Sequence, residues 1–443
     1  MPEADVARRT SPGPGSSSVT SSISRGALLA RMTAALILGM AGLLHGVVGM
    51  GLSGCVFGSA VVSRSLARPR RESLADLGAQ GQNLATGARI GDMAKRFMLY
   101  GATGYTGKLV AALAKRLGLD VILAGRSREK LKEIAEDLGF AFRVVSLADA
   151  AGLRRSLSDI SAVLHAAGPF SQTAGAMIEA CISTGTHYLD VTGEIDVFES
   201  IARRGPQAEA AGVILLPGVG FDVVPSDCVA LHTASRVEEP TSLRIAIAGG
   251  SAVSRGTAKT AIEGLGDGLR IRANGIIRSR PAGSLERHFN FGAGPARALA
   301  LSWGDVSTAF YSTGIPNIEV YFALSGRTAS LIKASRFVKP ILGLERVRNF
   351  LTDRANDMPE GPDESVRSST GSLILAEVEG PGGQKARTLL ETPNGYALTP
   401  VAAVECVRRA LAGDITPGFH TPATALGADF ILDLPGCEWA DLE

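Results

Sequence analysis

From residue 97 onward, short apolar runs alternate with stretches whose apolar residues recur at helical spacing. The run 97–100 is followed by Val110, Leu113 and Leu117, and then by a second apolar run, Val121–Ala124. Apolar runs of this length suit buried strands, whereas the spacing in between places side chains on one face of a helix. The pattern therefore predicts a strand, a helix and a second strand.

The alternation continues as far as Arg236 and predicts a parallel sheet. The predicted strands span 142–145, 162–165, 187–191 and 213–217, and the predicted helices span 127–138, 149–157, 173–184 and a stretch ending at 211. Each pair of parallel strands needs a crossover, so this order predicts an α/β fold, a Rossmann-type doubly wound parallel sheet with its ligand at the carboxyl ends of the strands. We place this domain at residues 95–236.

Beyond Arg236 the predicted strands become longer and the alternation stops. Strands are predicted at 242–248, 275–279, 318–324, 372–379 and 385–391, with a helix at 257–265, helical or irregular chain at 328–355 and a polar loop at 357–370. This order is typical of an α+β unit. We therefore predict an inserted α+β domain at 237–392, whose sheet faces the ligand cleft. A C-terminal segment, 393–443, is expected to return to the first domain as helix and loop.

Residues 1–92 form an extension whose composition differs from the rest of the chain. Met1–Arg25 is rich in Ser, Pro, Gly and Arg, a composition typical of disorder. The stretch 32–63 has no charged residue and is long enough to cross a bilayer. Arginines flank it on both sides, as is common at the ends of membrane spans. Three interpretations stay open: a membrane anchor or signal-type sequence, a targeting extension, or sequence upstream of a start at Met93.

Charge and cysteine content narrow the function classes. The 443 residues include 45 basic and 43 acidic side chains, and this near balance gives no support to nucleic-acid binding. The five cysteines are scattered without a C-x-x-C pair or His-Cys spacing. We therefore expect reduced thiols, no disulfide framework and no metal site.

The glycine-rich turn Gly101–Gly107 between the first strand and the first helix has the composition of a dinucleotide site. Gly101 would let the chain turn out of the strand, and Gly104 would remove a side chain where a pyrophosphate approaches the backbone. Gly107 would let the helix lie close to the sheet, with its free N–H groups aimed at the phosphates. The spacing is G-x-x-G-x-x-G rather than G-x-G-x-x-G.

The residues after the second strand predict which dinucleotide binds. An NAD site usually has Asp or Glu here to accept a hydrogen bond from the ribose 2′-hydroxyl, but this chain has Gly125, Arg126 and Ser127. Arg126 would donate two hydrogen bonds to a 2′-phosphate, and Ser127 would add a hydroxyl donor. We therefore predict NADP as the cofactor.

The remaining candidates lie at the ends of later strands. Small residues at 166–168 would let the adenosine ribose and the nicotinamide ribose of the dinucleotide pass close to the backbone. The full set of predicted cofactor-binding residues is Gly101, Ala102, Thr103, Gly104, Tyr105, Thr106, Gly107, Arg126, Ser127, Ala166, Ala167 and Gly168. Asp222 and Tyr188 are the catalytic candidates, with helix capping as the alternative role for Asp222. Asp190 and Lys259 are further candidates, whereas His165 and His187 are expected to be packed strand residues.

From about residue 95 to its end, the chain resembles the saccharopine dehydrogenase-like family, and within it the branch similar to trans-acting enoyl reductases. The motifs that carry the resemblance are G-A-T-G-Y-T-G at 101–107, A-G-R at 124–126, A-A-G-P-F at 166–170, G-T-H-Y-L-D-V-T-G-E at 185–194, G-V-G-F-D-V-V-P-S-D at 218–227, G-Y-A-L-T at 395–399 and H-T-P-A-T-A-L-G at 420–427. The resemblance implies an NADP-dependent oxidoreductase acting on an enoyl group or an imine.

Three functions are compatible with these residues. The first is NADPH-dependent reduction of an activated C=C bond in an enoyl or lipid-type substrate, and it is favoured over carbonyl reduction because no Tyr-x-x-x-Lys pair occurs. The second is saccharopine-type imine reduction, for which Arg255, Arg270, Arg272, Arg278 and Arg280 would bind substrate carboxylates. The third is non-catalytic NADP binding.

We expect a cytoplasmic catalytic unit, anchored to a membrane if 32–63 forms a span, and an oligomer is compatible with the sequence.

Overall fold

A computed structural model of the chain describes residues 95–249, 254–263, 268–335 and 344–443. The predictions for residues 1–92, including the apolar segment 32–63, lie outside these ranges. Within the described part of the chain, no helix combines the length and the apolar character needed to cross a membrane.

The first sheet is parallel throughout, and the predicted Rossmann-type fold class is confirmed. Its strands are β1 (Phe97–Tyr100), β2 (Val121–Gly125), β3 (Ala141–Val144), β4 (Ala162–His165), β5 (His187–Asp190), β6 (Ile214–Leu216) and β15 (Gly418–Phe419). Their order is β15-β6-β5-β4-β1-β2-β3. The strand order reverses between β1 and β4, and in such sheets the ligand crevice lies at that point.

The helices of this half connect the parallel strands. They are α1 (Tyr105–Arg116), α2 (Arg128–Leu138), α3 (Ala150–Leu157), α4 (Phe170–Thr184), α5 (Ile195–Ala202), α6 (Gly205–Ala210) and α7 (Val224–Ala234). The single helix predicted to end at residue 211 is in fact two, α5 and α6. Pro206 lies in the first turn of α6, where its missing N–H costs nothing, whereas inside a continuous helix it would leave a carbonyl unpaired.

The second sheet is mostly antiparallel and contains strands that the apolar pattern did not reveal. It comprises β7 (Ser242–Gly249), β8 (Leu269–Ala273), β9 (Ile276–Arg280), β10 (Glu286–Asn290), β11 (Pro295–Ala300), β12 (Asn317–Ala323), β13 (Gly371–Glu379), β14 (Lys385–Pro393) and β16 (Glu438–Leu442). The order is β10-β11-β12-β7-β13-β14-β16, with the β8–β9 hairpin attached to β12. β10 was missed because its single buried side chain, Phe289, makes no apolar run.

The remaining helices are α8 (Arg255–Glu263), α9 (Asp305–Thr313), α10 (Gly326–Ser335), α11 (Glu345–Asn356), α12 (Glu364–Ser369), α13 (Gly395–Ala412) and α14 (Pro422–Leu426), with short 3₁₀ turns at Pro381–Gly383 and Ala428–Asp433. The predicted polar loop 357–370 therefore contains a helix, α12, which Asp363 caps by accepting a hydrogen bond from the Val366 N–H. The C-terminal segment adds β15 to the first sheet and β16 to the second.

The two sheets share one apolar core, and α7 lies between them. Leu123 of the first sheet, Val229 of α7, and Ile245 and Ile374 of the second sheet belong to the same buried cluster. Burial of this kind stabilises the contact between the two sheets. The domain boundaries at 236 and 392 stay a prediction.

Candidate functional site

The carboxyl ends of the parallel strands bring most of the predicted residues to one edge of the first sheet. The turn at 101–104 follows β1, Arg126 follows β2, and the turn at 166–168 follows β4. The loops at 191–194 and 217–223 follow β5 and β6. Because β1 and β4 are neighbours, the glycine turn and the turn at 166–168 are adjacent across the strand-order reversal.

The glycine turn is closely packed against its neighbours. Gly101 has a φ of 92°, in the left-handed region, and a Cβ built there would lie 2.7 Å from the Ala166 carbonyl carbon. A Cβ on Gly107 would lie 2.2 Å from the Gly101 carbonyl oxygen. The close approach at Gly107 is therefore between helix α1 and the turn itself, rather than between the helix and the sheet.

The start of α1 suits a phosphate group. Gly104 is the N-cap residue and makes no side-chain capping bond, and the first turn contains no acidic residue. The first N–H groups of a helix lack partners within the helix, and the helix dipole makes this end positive. Gly104 is exposed and Thr103 and Thr106 are half-buried, whereas Ala102 is buried beneath the turn. This geometry fits the pyrophosphate of a dinucleotide.

Arg126 and Ser127 differ in how free they are to bind a ligand. Arg126 is exposed and forms no ion pair with any described residue. Ser127 is the N-cap of α2: its hydroxyl accepts a 3.5 Å hydrogen bond from the Lys130 N–H and donates to a Glu129 carboxylate oxygen at 3.1 Å. The hydroxyl of Ser127 is thus used by its own helix, whereas the guanidinium of Arg126 is available.

The turn at 166–168 is held in place by side chains that the sequence reasoning did not assign. The Thr173 hydroxyl donates to the Ala167 carbonyl oxygen at 2.8 Å. The Glu194 carboxylate accepts hydrogen bonds from the N–H groups of Phe170 and Ser171, each at 2.8 Å. Glu194 therefore caps α4 from the loop after β5, and it ties the two loops together. The Gly-Glu pair at 193–194 was the only sequence signal for this role.

Both histidines are strand residues, in agreement with the packing expected for them. His165 is fully buried, and its Nε2 lies 3.0 Å from the Thr173 hydroxyl. Burial lowers the pKa of His165 to about 3, so the ring is neutral. His187 Nδ1 accepts a hydrogen bond from the Ile214 N–H at 3.2 Å, and burial lowers its pKa. Lys259 is half-buried on α8.

The structure corrects the assignment of Tyr188 as a catalytic candidate. Its side chain is fully buried, and its hydroxyl donates a 2.6 Å hydrogen bond to Asp190. The other Asp190 oxygen accepts from the N–H groups of Thr192 at 2.9 Å and Gly218 at 3.0 Å. The hydroxyl is therefore out of reach of a ligand in the cleft. We assign Tyr188 and Asp190 a structural role, joining the loops after β5 and β6.

Replacing Tyr188 with Phe tests this structural role. The substitution leaves one oxygen of a buried carboxyl without its donor, so we expect the free energy of unfolding to fall by about 1–3 kcal/mol. The affinity for NADPH should stay at the wild-type value, because no cofactor contact is removed. Urea titration and calorimetry would measure the two quantities. A variant of wild-type stability that no longer supports a reaction would return Tyr188 to the catalytic group.

Asp222 has the properties of a functional carboxyl group. It lies in the loop after β6, half-buried, and no described residue donates a hydrogen bond to its carboxylate. Burial raises its pKa to about 6. Helix α7 is capped at Val223 without a side-chain bond, so the capping role considered for Asp222 is not what the structure shows.

The surroundings of Asp222 place it where the two sheets meet. A Cβ on Gly193 would lie 3.1 Å from a carboxylate oxygen of Asp222, so only a glycine leaves room there. The indole N–H of Trp303, which comes from the second half of the chain, donates to the Asp222 carbonyl oxygen at 2.9 Å. Burial raises the pKa of Tyr396, and the charge of Asp222 raises it further. Asp222 is thus a carboxyl group with a raised pKa and no hydrogen-bond donor among the described residues, at the sheet edge that carries the glycine turn, and such a group is typical of a functional site.

Comparison with known proteins identifies the part of the chain that carries the glycine turn. Residues 97–216 match the family described as the saccharopine dehydrogenase NADP binding domain. The matched residues contain the glycine turn, Arg126 and the turn at 166–168. The predicted family and the predicted cofactor, NADP, are thereby confirmed for this domain.

Similar proteins include mycobacterial enzymes and a yeast dehydrogenase. A trans-acting enoyl reductase of Mycobacterium leprae is 35% identical over 151 residues, which are 32% of this chain and 36% of that protein. One of Mycobacterium tuberculosis is 36% identical over 138 residues, 29% of this chain and 33% of that protein. The chain thus spans about a third of the length of these relatives, and the matched stretch is of the size of the NADP-binding domain.

A solved structure resembles the chain over a longer stretch. Apo saccharopine dehydrogenase (L-Glu forming) from Saccharomyces cerevisiae has a TM-score of 0.54 at 11% identity, covering 79% of this chain and all of that chain. At this identity the likeness shows the fold. It supports the Rossmann-type fold of the parallel sheet, combined with a second sheet.

Proposed function

We propose that this protein is an NADPH-dependent oxidoreductase that transfers hydride to an activated C=C bond of an enoyl or lipid-type substrate. The observation that carries the proposal is the placement of a half-buried carboxyl group, Asp222, at the same sheet edge as the glycine turn and Arg126. The names of the mycobacterial relatives support an enoyl group as the substrate class.

The residues of this chain would have separate roles in cofactor binding and proton transfer. NADPH, when bound, supplies a hydride from its nicotinamide ring. The glycine turn and the start of α1 would bind the pyrophosphate, and Arg126 the 2′-phosphate. Asp222, whose pKa is raised to about 6, would carry a proton in a larger share of the molecules than an ordinary carboxyl group and deliver it to the carbon or carbonyl oxygen that becomes negative after hydride transfer.

The alternative, saccharopine-type imine reduction, needs free arginines for substrate carboxylates. Arg270 forms a two-bond pair with Asp196, at 2.7 Å for each bond, and Arg272 binds Glu199 at 2.6 Å. Arg255 donates two hydrogen bonds to the Met358 carbonyl oxygen. Three of the five predicted arginines therefore have structural partners. Arg278 and Arg280 lie exposed on β9, at the edge of the sheet.

Single-turnover kinetics would test the proposal. The protein would be mixed with NADPH and, in turn, with enoyl thioesters of different chain length and with imines formed from an amino acid and an aldehyde or keto acid. The proposal predicts loss of NADPH absorbance with enoyl thioesters. Oxidation with imines only would favour the alternative. Tight NADPH binding without oxidation by any compound would favour a non-catalytic NADP-binding protein, which is the third function considered.

The choice of Arg126 as the 2′-phosphate ligand gives a separate prediction. Replacing Arg126 with Ala removes a charge-assisted pair, so the Kd for NADPH should rise about tenfold, whereas the Kd for NADH should not change. Arg128, two residues further and also exposed, is the matched control, and its Ala variant should bind NADPH as the wild type does. Calorimetry with both cofactors measures these values. Equal losses for NADPH and NADH would contradict the assignment.

A further inference from the structure

The segment 358–367, which belongs to the second half of the chain, lies directly over the start of α1. Tyr105, the first residue of α1, donates a hydrogen bond from its hydroxyl to the Pro362 carbonyl oxygen. Its ring packs on Gly361, where a Cβ would come within 2.5 Å of a ring carbon. Lys108 of α1 forms a 2.7 Å ion pair with Glu360. These contacts hold the segment against the first turn of α1, next to the glycine turn.

The segment is also anchored to its own domain. The side chain of Arg255, at the start of α8, donates to the Met358 carbonyl oxygen from Nε at 3.0 Å and from Nη2 at 2.6 Å. Met358 is buried against Leu351 and Ala355 of α11. The position of 358–367 is therefore determined by buried packing on one side and by Tyr105 on the other.

Arg367 brings a positive charge to this place, where the Asp363 carboxylate lies close enough to feel that charge but forms no direct ion pair with it. Its Nη1 donates to the Tyr105 hydroxyl at 2.9 Å and to the Pro362 carbonyl oxygen at 2.8 Å, and its guanidinium carbon lies 5.9 Å from the centre of the Tyr105 ring. No described carboxylate is within ion-pair distance, and no described residue accepts a hydrogen bond from Nε or Nη2. Arg367 is half-buried, so solvent compensates this charge only in part.

Two positive features thus lie close together, and neither forms a direct ion pair with a described carboxylate. The start of α1 has unpaired N–H groups and no acidic residue in its first turn, and the guanidinium of Arg367 is attached to that turn through Tyr105. Both features would attract the negative charge of a phosphate group. A guanidinium also matches the geometry of phosphate oxygens, to which it can donate two parallel hydrogen bonds.

We propose that Arg367 is a pyrophosphate-binding residue, through which the second domain completes the NADP site of the first. This inference rests on the proposed function for the presence of NADP, and adds a residue that lies far from the cofactor-binding domain in sequence. Tyr105 acts as the positioning residue, because its hydroxyl holds one nitrogen of Arg367 and leaves the others free.

A ligand that lacks the pyrophosphate distinguishes pyrophosphate binding by Arg367 from a merely structural role of this residue. Adenosine 2′-monophosphate has the 2′-phosphate of NADPH but lacks the pyrophosphate. Replacing Arg367 with Ala should raise the Kd for NADPH about tenfold and change the Kd for adenosine 2′-monophosphate by less than about twofold. Replacing it with Lys keeps the charge but not the paired donors, so the Kd for NADPH should rise by an intermediate factor. Arg354→Ala, at an exposed position of α11, is the control and should bind both ligands as the wild type does.

Two results would overturn the inference. An unchanged Kd for NADPH in Arg367→Ala shows that the guanidinium does not contact the cofactor. An equal loss of affinity for both ligands shows that the residue only maintains the shape of the site. Failure of the wild-type protein to bind NADPH is a different result, because it would overturn the proposed function itself. Tyr105→Phe gives a second measurement: loss of the positioning hydroxyl should weaken NADPH binding by about threefold and leave the truncated ligand unaffected.

Discussion

Replacing Asp222 with Asn is expected to lower the rate of substrate reduction by about a hundredfold, because the amide has the same shape but has no acidic proton to deliver. Reduction consumes a proton, so the wild-type enzyme needs Asp222 in its protonated form. Its pKa is about 6, so the wild-type rate should fall as the pH rises through that value. The variant should lack this dependence. Stopped-flow NADPH oxidation across a pH series, with an acceptor that the wild type reduces, measures both effects.

Two comparisons make this prediction specific for proton delivery. The Kd for NADPH should be the same in Asp222→Asn and in the wild type, because the proposed role of Asp222 begins after the cofactor has bound. Asp137→Asn, at an exposed position on α2, is the matched control and should keep the wild-type rate and pH profile. If Asp222→Asn retained full activity with an unchanged profile, another group would have to be the proton donor.

Replacing Gly107 with Ala is expected to lower the free energy of unfolding by about 3 kcal/mol or more and to weaken NADPH binding. The new methyl group would lie 2.2 Å from the Gly101 carbonyl oxygen and 2.8 Å from the Ala102 Cα. Both are backbone atoms, so they can move only if the glycine turn moves with them. Overpacking of this kind costs a few kcal/mol even where flexible side chains can adjust.

Gly175 provides the matched control for Gly107. It is also a helical glycine, in α4, but a Cβ there would meet nothing closer than an Arg204 nitrogen at 4.0 Å. Since Ala favours helix over Gly, Gly175→Ala should be neutral or stabilising by up to about 1 kcal/mol. Urea unfolding of both variants, with NADPH titration of each, measures the difference. A Gly107→Ala variant as stable as Gly175→Ala would show that the turn is not closely packed.

Much of the first domain was predictable because its strands are buried on both faces. Each of β1, β2 and β4 is an uninterrupted apolar run between polar helices, so local sequence and tertiary position agree. The second sheet was predicted less completely. β10 has one buried side chain, Phe289, and β16 has only partly buried or exposed residues, so neither has an apolar run to reveal it. β10 and β16 are strands because they form ladders of hydrogen bonds with β11 and β14.

In the candidate site, too, some features were predictable from the local sequence and others were not. The glycine spacing, the arginine after β2 and the small turn after β4 are local patterns whose chemistry can be stated without a structure. Local patterns could not tell Tyr188, within a predicted strand, from Asp222, in the loop after the next strand, because they do not report how deeply a side chain is buried. Burial separated them: the structure places Tyr188 inside the core with Asp190, and Asp222 in the cleft with no donor to its carboxylate. Burial depends on every neighbouring element and is not a property of the local sequence.

By itself, the sequence of this protein determined a parallel Rossmann-type sheet, a dinucleotide turn and a preference for NADP, because apolar periodicity, glycine and arginine act over a few neighbouring residues. Only the tertiary structure decided which side chains meet across the cleft. Tyr105 and Arg367 are 262 positions apart, yet 2.9 Å separates their hydrogen-bonding atoms. Such contacts are produced by the packing of two sheets around one core, and no pattern along the chain carries that information.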